Sequence, residues 1–131
     1  MATNPIREYL TELIQLTGYT PQVSFDRLPD EARTLYNPRT KVINVGDDFS
    51  KSTLFRELGR AIEFEDMEIA DASRSFRLAR GDRGFIAPGI DIFAIGLAYF
   101  ASAELMTELY AADPEHFQYT LGVIEMLKAR R

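Results

Sequence analysis

The chain has 131 residues, 46% of them hydrophobic and 27% charged, and a formal net charge of −5. This length is enough for one domain with a proper core, and the acidic balance argues against nucleic acid as a partner, which needs a strongly basic face. With no cysteine and a single histidine, His116, the sequence excludes disulfides, thiolate chemistry and any multi-histidine metal site.

The N-terminal stretch Met1-Ala2-Thr3-Asn4-Pro5 lacks the basic segment and apolar run of a signal peptide. Asn4 is placed to cap a first helix over 5–17 with Pro5 at its first position; Ile6, Leu10, Leu13 and Ile14 form the apolar stripe and Gly18 is the stop. A small sheet is expected over 22–45. Its pieces are a strand at Gln22 to Phe25, then Thr34 to Tyr36 and Val42 to Val45 flanking the turn-rich Asn37-Pro38-Arg39-Thr40 as a hairpin. Asp48 or Ser50 caps a second helix over 50–65, whose buried face includes Leu54, Leu58, Ala61 and Ile62.

From 66 to 90 the pattern loosens into a helical piece around Ala70 to Arg80 and a loop marked by Gly81, Gly84, Pro88 and Gly89. Arg74, Arg77, Arg80 and Arg83 recur at helical spacing, but Asp71 and Asp82 interleave with them, which favours a solvated face over an anion-binding one. A long apolar helix is expected from Asp91 to Ala112, with Phe93, Leu97, Phe100, Leu105 and Leu109 as core or interface. Its most apolar stretch, Ile90 to Phe100, is too short to span a bilayer. Asp113 caps the last helix with Pro114 at its first position, and Phe117, Leu121, Ile124 and Leu127 make its stripe. His116, beside Glu115 in that first turn, reads as a surface residue. The fold class is α+β in one domain, with two to three strands packed on four to five helices.

The segment Arg56-Glu57-Leu58-Gly59-Arg60-Ala61-Ile62-Glu63 carries the most chemistry. It resembles the zincin signature H-E-x-x-H, in which two histidines at i and i+4 hold Zn²⁺ and the glutamate is the general base. The order of the surrounding pieces is similar to the zincin-like domains of phage and prophage virion proteins. Those pieces are Leu35-Tyr36, Val42-Ile43-Asn44-Val45, the motif helix, Phe76-Arg77-Leu78-Ala79-Arg80, the helix opening at Asp91, and Asp113-Pro114-Glu115-His116-Phe117. The resemblance covers about Thr34 to Leu127 and implies a minimal zincin-like fold.

Carried over position by position, the resemblance places the first and second metal ligands on Arg56 and Arg60, the third on Asp91 and a further helix glutamate on Ala98, leaving only the general-base position, Glu57, intact. A guanidinium has no lone pair to give a cation. Without metal, Glu57 faces a water of pKa ~15.7 rather than about 7. The resemblance therefore implies a degenerate site with no metal and no cofactor, in which two arginines replace the charge of the lost ion beside Glu57 and Asp91. The alternative is an ordinary amphipathic helix with Arg56 and Arg60 in solvent, and Asp91 as a helix-terminal acid favoured by the dipole.

Three functions are open at this point. The first is a non-catalytic pseudoenzyme serving as a structural or protein-interaction component of a phage particle or phage-derived assembly, with other virion or assembly proteins as partners, homo-oligomers included. It would sit in the virion or the bacterial cytoplasm, with neither nucleic acid nor membrane as partner. The second is a metal-independent hydrolase using Glu57 and Asp91, which needs the two carboxyls pushed apart in pKa, an arrangement that neighbouring guanidinium groups oppose. The third is a regulatory protein capturing an acidic peptide through Arg56 and Arg60. A catalytic zinc site needs three protein donors, and this set offers at most Asp91 and Glu57. Elemental analysis of the purified protein is therefore expected to find no stoichiometric zinc, and about one zinc per chain would overturn the reading.

Overall fold

Pro5 opens the first helix, α1 (Pro5–Thr17), and Gly18 closes it: at φ 77° its N–H reaches back to the Ile14 carbonyl at 2.8 Å. The computed structural model describes residues 5–25, 33–81 and 91–130, so the expected Asn4 cap and the expected loop residues Gly84, Pro88 and Gly89 lie outside the described residues. In α1, Ile6 and Leu13 are buried and Leu10 and Ile14 half-buried, as the stripe requires.

Three short strands follow: β1 (Gln22–Ser24), β2 (Leu35–Asn37) and β3 (Val42–Asn44). β2 and β3 form the expected antiparallel hairpin, with Tyr36 opposite Ile43, and both side chains are buried. The turn closes through the Lys41 N–H on the Asn37 carbonyl at 2.7 Å. Lys41 takes φ 61°, a left-handed conformation that L-residues other than Asn and Asp rarely adopt. β1 adds to the other side of β3 in parallel, giving the order β1-β3-β2.

Ser50 caps α2 (Lys51–Glu65) through a capping box with Thr53. Asp48, the other candidate, instead accepts the Thr34 N–H at 2.6 Å and ties the strand entry to the helix entry. Asp66 ends α2 and its carboxylate caps α3 (Met67–Arg80) by accepting the Ile69 N–H at 3.2 Å.

The single helix expected from Asp91 to Ala112 is two. α4 (Ile92–Tyr99) stops at Phe100, where the N–H groups of Phe100 and Ala101 turn back to Leu97 and Ala98. Ser102 then caps α5 (Ala103–Ala112) by accepting the Leu105 N–H at 3.1 Å. A hydroxyl that satisfies an orphan donor stabilises a new start, and this local signal outweighs the continuity of the apolar run. Among the described residues the helices accordingly number six, one more than the upper expectation. α6 (Pro114–Ala129) starts as expected, with Asp113 accepting the His116 N–H at 3.1 Å.

The fold is thus α+β, with six helices and a small mixed sheet among the described residues. The core sits between the sheet, α2 and the C-terminal helices, around Leu54, Phe55, Leu58, Ile62, Phe93, Leu97, Leu109 and Ile124. At its centre α2 and α4 cross at Gly59. A Cβ there would lie 2.6 Å from the Ala94 Cα, so only glycine permits this approach. No helix among the described residues is long and apolar enough to cross a membrane.

Two glycines give opposite expectations. Gly59→Ala forces backbone apart and should lower stability by roughly 1–3 kcal/mol. A Cβ on Gly122, in the middle of α6, meets nothing within 4 Å. Gly122→Ala should therefore raise stability by up to about 1 kcal/mol through helix propensity alone. Urea denaturation of the two variants checks both signs.

Candidate functional site

The α2–α4 crossing fixes where the motif side chains go. Glu57 is buried with no solvent exposure, yet its carboxylate is well supplied with partners. Oε1 accepts the backbone N–H of Tyr36 on β2 at 2.9 Å, and Oε2 accepts the Arg56 Nε–H at 3.0 Å. Arg60 lies on the other side, its Nη1 3.8 Å from Glu57 Oε1, while its Nη2 donates to Asp91 Oδ2 at 3.1 Å. Arg60 thereby links the carboxylate buried under β2 to the acid at the head of α4. Arg56 and Arg60 are about one-third exposed, so this is a partly covered cluster and not a solvated helix face.

Asp91 holds the position before α4 but makes no capping bond, because its carboxylate is turned to Arg60. The orphan amides of α4 are satisfied from α2 instead: Glu63 Oε1 accepts the Ala94 N–H at 2.8 Å. Burial pushes the Glu63 carboxyl up to about 7, opposed by hydrogen bonds from the Ala94 and Phe93 N–H groups and the Ser73 hydroxyl and reinforced by the nearby Asp91 charge. Ser73 in turn hydrogen-bonds the Tyr119 hydroxyl, and burial pushes that phenol up to about 12. A shallow depression of about 310 Å³ lined by Arg60, Glu63, Phe64 and Asp91 opens beside this cluster. Ala98 lies two turns further along α4, half-buried, and does not line it.

The structure therefore brings Arg56, Glu57, Arg60 and Asp91 together, and leaves Ala98 apart. Sequence reasoning gave Glu63 no role although it stands inside the motif segment; its capping of a helix thirty residues on leaves no local signature. Among the described residues, no group of three or more histidine, cysteine, aspartate or glutamate side chains is arranged to hold a metal ion.

Two expectations for polar residues are corrected. His116 is not a surface residue: it is fully buried, and its Nε2 lies 2.6 Å from the Ile92 carbonyl. A carbonyl only accepts, so Nε2 carries the proton. Burial lowers the His116 pKa, which favours the neutral ring. Arg80 does not belong to a solvated face: it is buried, forms an ion pair with Asp113, and lies over the Phe76 ring at 5.1 Å. The reason is topological. Arg80 ends α3 where the α5–α6 corner packs against it, and Asp113 at that corner caps α6 while neutralising the guanidinium.

No family model matches the chain, and no curated protein or solved structure matches it significantly.

The raised Glu63 pKa has a definite sign. A carboxyl at about 7 in the folded state and 4.5 unfolded gives stability that is complete below about 4.5 and is lost as pH rises through about 7. Glu63→Gln removes this titration, so its stability relative to wild type should improve between pH 5 and pH 8, by an amount on the order of 3 kcal/mol. Denaturant unfolding across that range measures the difference; a parallel pH dependence in both proteins would contradict the assignment.

Proposed function

We propose that the chain is a non-catalytic zincin-like domain serving as a protein-interaction component of a phage particle or phage-derived assembly. One observation carries the reading: the side chain at the general-base position, Glu57, is sealed from solvent and committed to a strand amide and two guanidinium groups. A general base must reach a water or a substrate proton at about 2.6–3.2 Å. Glu57 reaches protein donors at that distance instead.

The residues present do not fit zinc. Cations occupy both motif positions that would ligate, and Asp91 is held by one of them. Proton abstraction by a metal-activated water therefore has no place in the proposal. A metal-independent acid–base pair of Glu57 and Asp91 is disfavoured because Arg60 stands between the two carboxylates and Glu57 has no open face. Capture of an acidic peptide by Arg56 and Arg60 is disfavoured because both guanidinium groups already hold carboxylates of the chain itself. What remains is a scaffold whose former reaction centre tightens the packing of strand β2, α2 and α4 and whose outer surface is available to partners. The phage setting rests on the resemblance alone.

Replacing Arg56 and Arg60 together by histidine tests the derivation. With Asp91 kept, three donors converge where a zincin holds its ion, and calorimetric titration should show Zn²⁺ binding that the wild type lacks. Its affinity should fall short of an intact site, since aspartate reaches less far than glutamate and the outer partners that orient ligands are absent. The same variant should unfold at lower temperature, because Glu57 loses both guanidinium partners and keeps only the Tyr36 amide. Failure to bind zinc together with unchanged stability would contradict the reading. The assembly half is read by mass spectrometry of gradient-purified particles, where the chain should appear in fixed stoichiometry; particles lacking it would contradict that half.

A further inference from the structure

Helix α5 is poorly covered. Of its ten residues only Leu109 is buried, although Leu105, Met106 and Tyr110 are also apolar. Between α5 and α6 lies an open groove of about 340 Å³ lined by Ala103, Met106, Thr107, Tyr110 and Phe117. The small residues Ala103 and Thr107, one turn apart, leave the groove its depth. Its wall is preformed, because Phe117 stacks on Phe100 at 5.1 Å and meets Tyr110 edge-on at 5.2 Å between centroids. Tyr110 nevertheless remains 54% exposed. An aromatic held rigid by its neighbours and still open to solvent is the kind of anchor on which protein interfaces centre.

The charge along α5 has one sign. From residue 84 to residue 127 the sequence contains no lysine or arginine. Glu104 and Glu108 on α5 and Glu115 and Glu125 on α6 are all exposed, and none forms an ion pair with a described residue. Elsewhere on the described surface Glu8 is likewise exposed with no ion pair to a described residue, but several other acids find a cation. Glu12, Glu65, Glu68 and Asp71 are each paired with a basic side chain of the chain itself. Among the described residues Glu104 and Glu108 have no cation partner, and they stand on the helix that forms one wall of the apolar groove.

We propose that the α5–α6 groove docks a basic amphipathic helix of a partner protein, its apolar residues against Met106, Tyr110 and Phe117 and its lysines or arginines against Glu104 and Glu108. The ten residues of α5 span about 15 Å at 1.5 Å per residue, which matches two to three turns of a partner presenting anchors at i, i+3 or i+4, and i+7. Electrostatic attraction sets the encounter rate and the choice of a basic partner, while the aromatic anchor sets the lifetime of the complex. This inference rests on the reading of the chain as an interaction component and names the face and the partner chemistry. It does not depend on how Glu57 and the arginines arose, so the zinc and particle experiments can fail while this one succeeds, and the reverse.

The test uses the full chain and three synthetic peptides: a leucine–lysine amphipathic helix of about four turns, a scrambled peptide of the same composition, and a leucine–glutamate counterpart. Fluorescence anisotropy should show saturable binding of the first peptide only, weakening as salt rises. Tyr110→Ala together with Met106→Ala should weaken it about tenfold, in line with loss of an interface anchor. Glu104→Gln with Glu108→Gln should weaken it less and flatten the salt dependence. Of these four side chains Glu104, Glu108 and Tyr110 are exposed and Met106 is half-buried, and circular dichroism checks that the variants remain folded. Equal binding of the scrambled peptide, or binding indifferent to both variants, would mean bulk charge attraction and overturn the proposal, as would no binding at all. Sedimentation of the chain alone decides the other occupant: a dimer lost in the Tyr110 variant would assign the groove to a second copy and overturn the heterologous partner.

Discussion

A carboxylate with no contact to water must be matched by donors within the fold, or the protein cannot hold it ionised. Glu57 meets that constraint by accepting from a strand amide on one oxygen and from Arg56 on the other, with Arg60 closing the third side. The partners tie Glu57 to more than its own helix. The Tyr36 amide belongs to the edge of the sheet, the arginines belong to α2, and Arg60 carries the link on to Asp91 at the start of α4. One buried charge therefore registers three elements against one another. Hydrophobic burial drives them together without direction, and the hydrogen bonds around Glu57 decide which positions meet.

The α2–α4 contact extends the same logic. Gly59 lets the two backbones approach, Arg60 takes the Asp91 carboxylate away from its capping role, and Glu63 then supplies the cap from across the interface. The consequence is a buried carboxyl whose protonation falls near neutrality, bonded through Ser73 toward Tyr119 on α6. At the far end, Arg80, Asp113 and His116 form a second polar set that fastens α3 to the α5–α6 corner. Two polar seams thus bracket an otherwise apolar interior. Removing a partner of Glu57 in the first seam, or of Arg80 and Asp113 in the second, leaves a buried group unmatched, which is the costly direction for such groups.

Much of the fold was legible because its boundaries are local chemistry. Gly18 and Asp113 with Pro114 mark helix ends where the sequence placed them, and of the two caps it offered for α2, Asp48 or Ser50, it is Ser50 that makes the bond. The hairpin was legible from its turn residues, but the parallel addition of β1 was not, since nothing in Gln22–Ser24 encodes its partner. The break at Ser102 had a local signal, a serine followed by Ala103 and Glu104, hidden inside an apolar run that reads as continuous. For the candidate site, spacing alone placed Arg56 and Arg60 on one face of α2, and the resemblance supplied the expectation that Asp91 would meet them. Glu63, Arg80 and His116 escaped because burial of a polar residue is decided by what folds over it, and that partner lies 24 to 33 residues away.

The central claim is that Glu57 is a structural carboxylate. Equilibrium unfolding of Glu57→Gln tests it most directly, since the amide keeps the shape and removes the charge that both guanidinium groups require. The predicted loss is roughly 2–3 kcal/mol, below the 3–5 of a fully buried pair because the arginines keep partial access to water. A variant as stable as the wild type, or more stable, would contradict the account and return Glu57 to the list of groups held in the fold for another purpose.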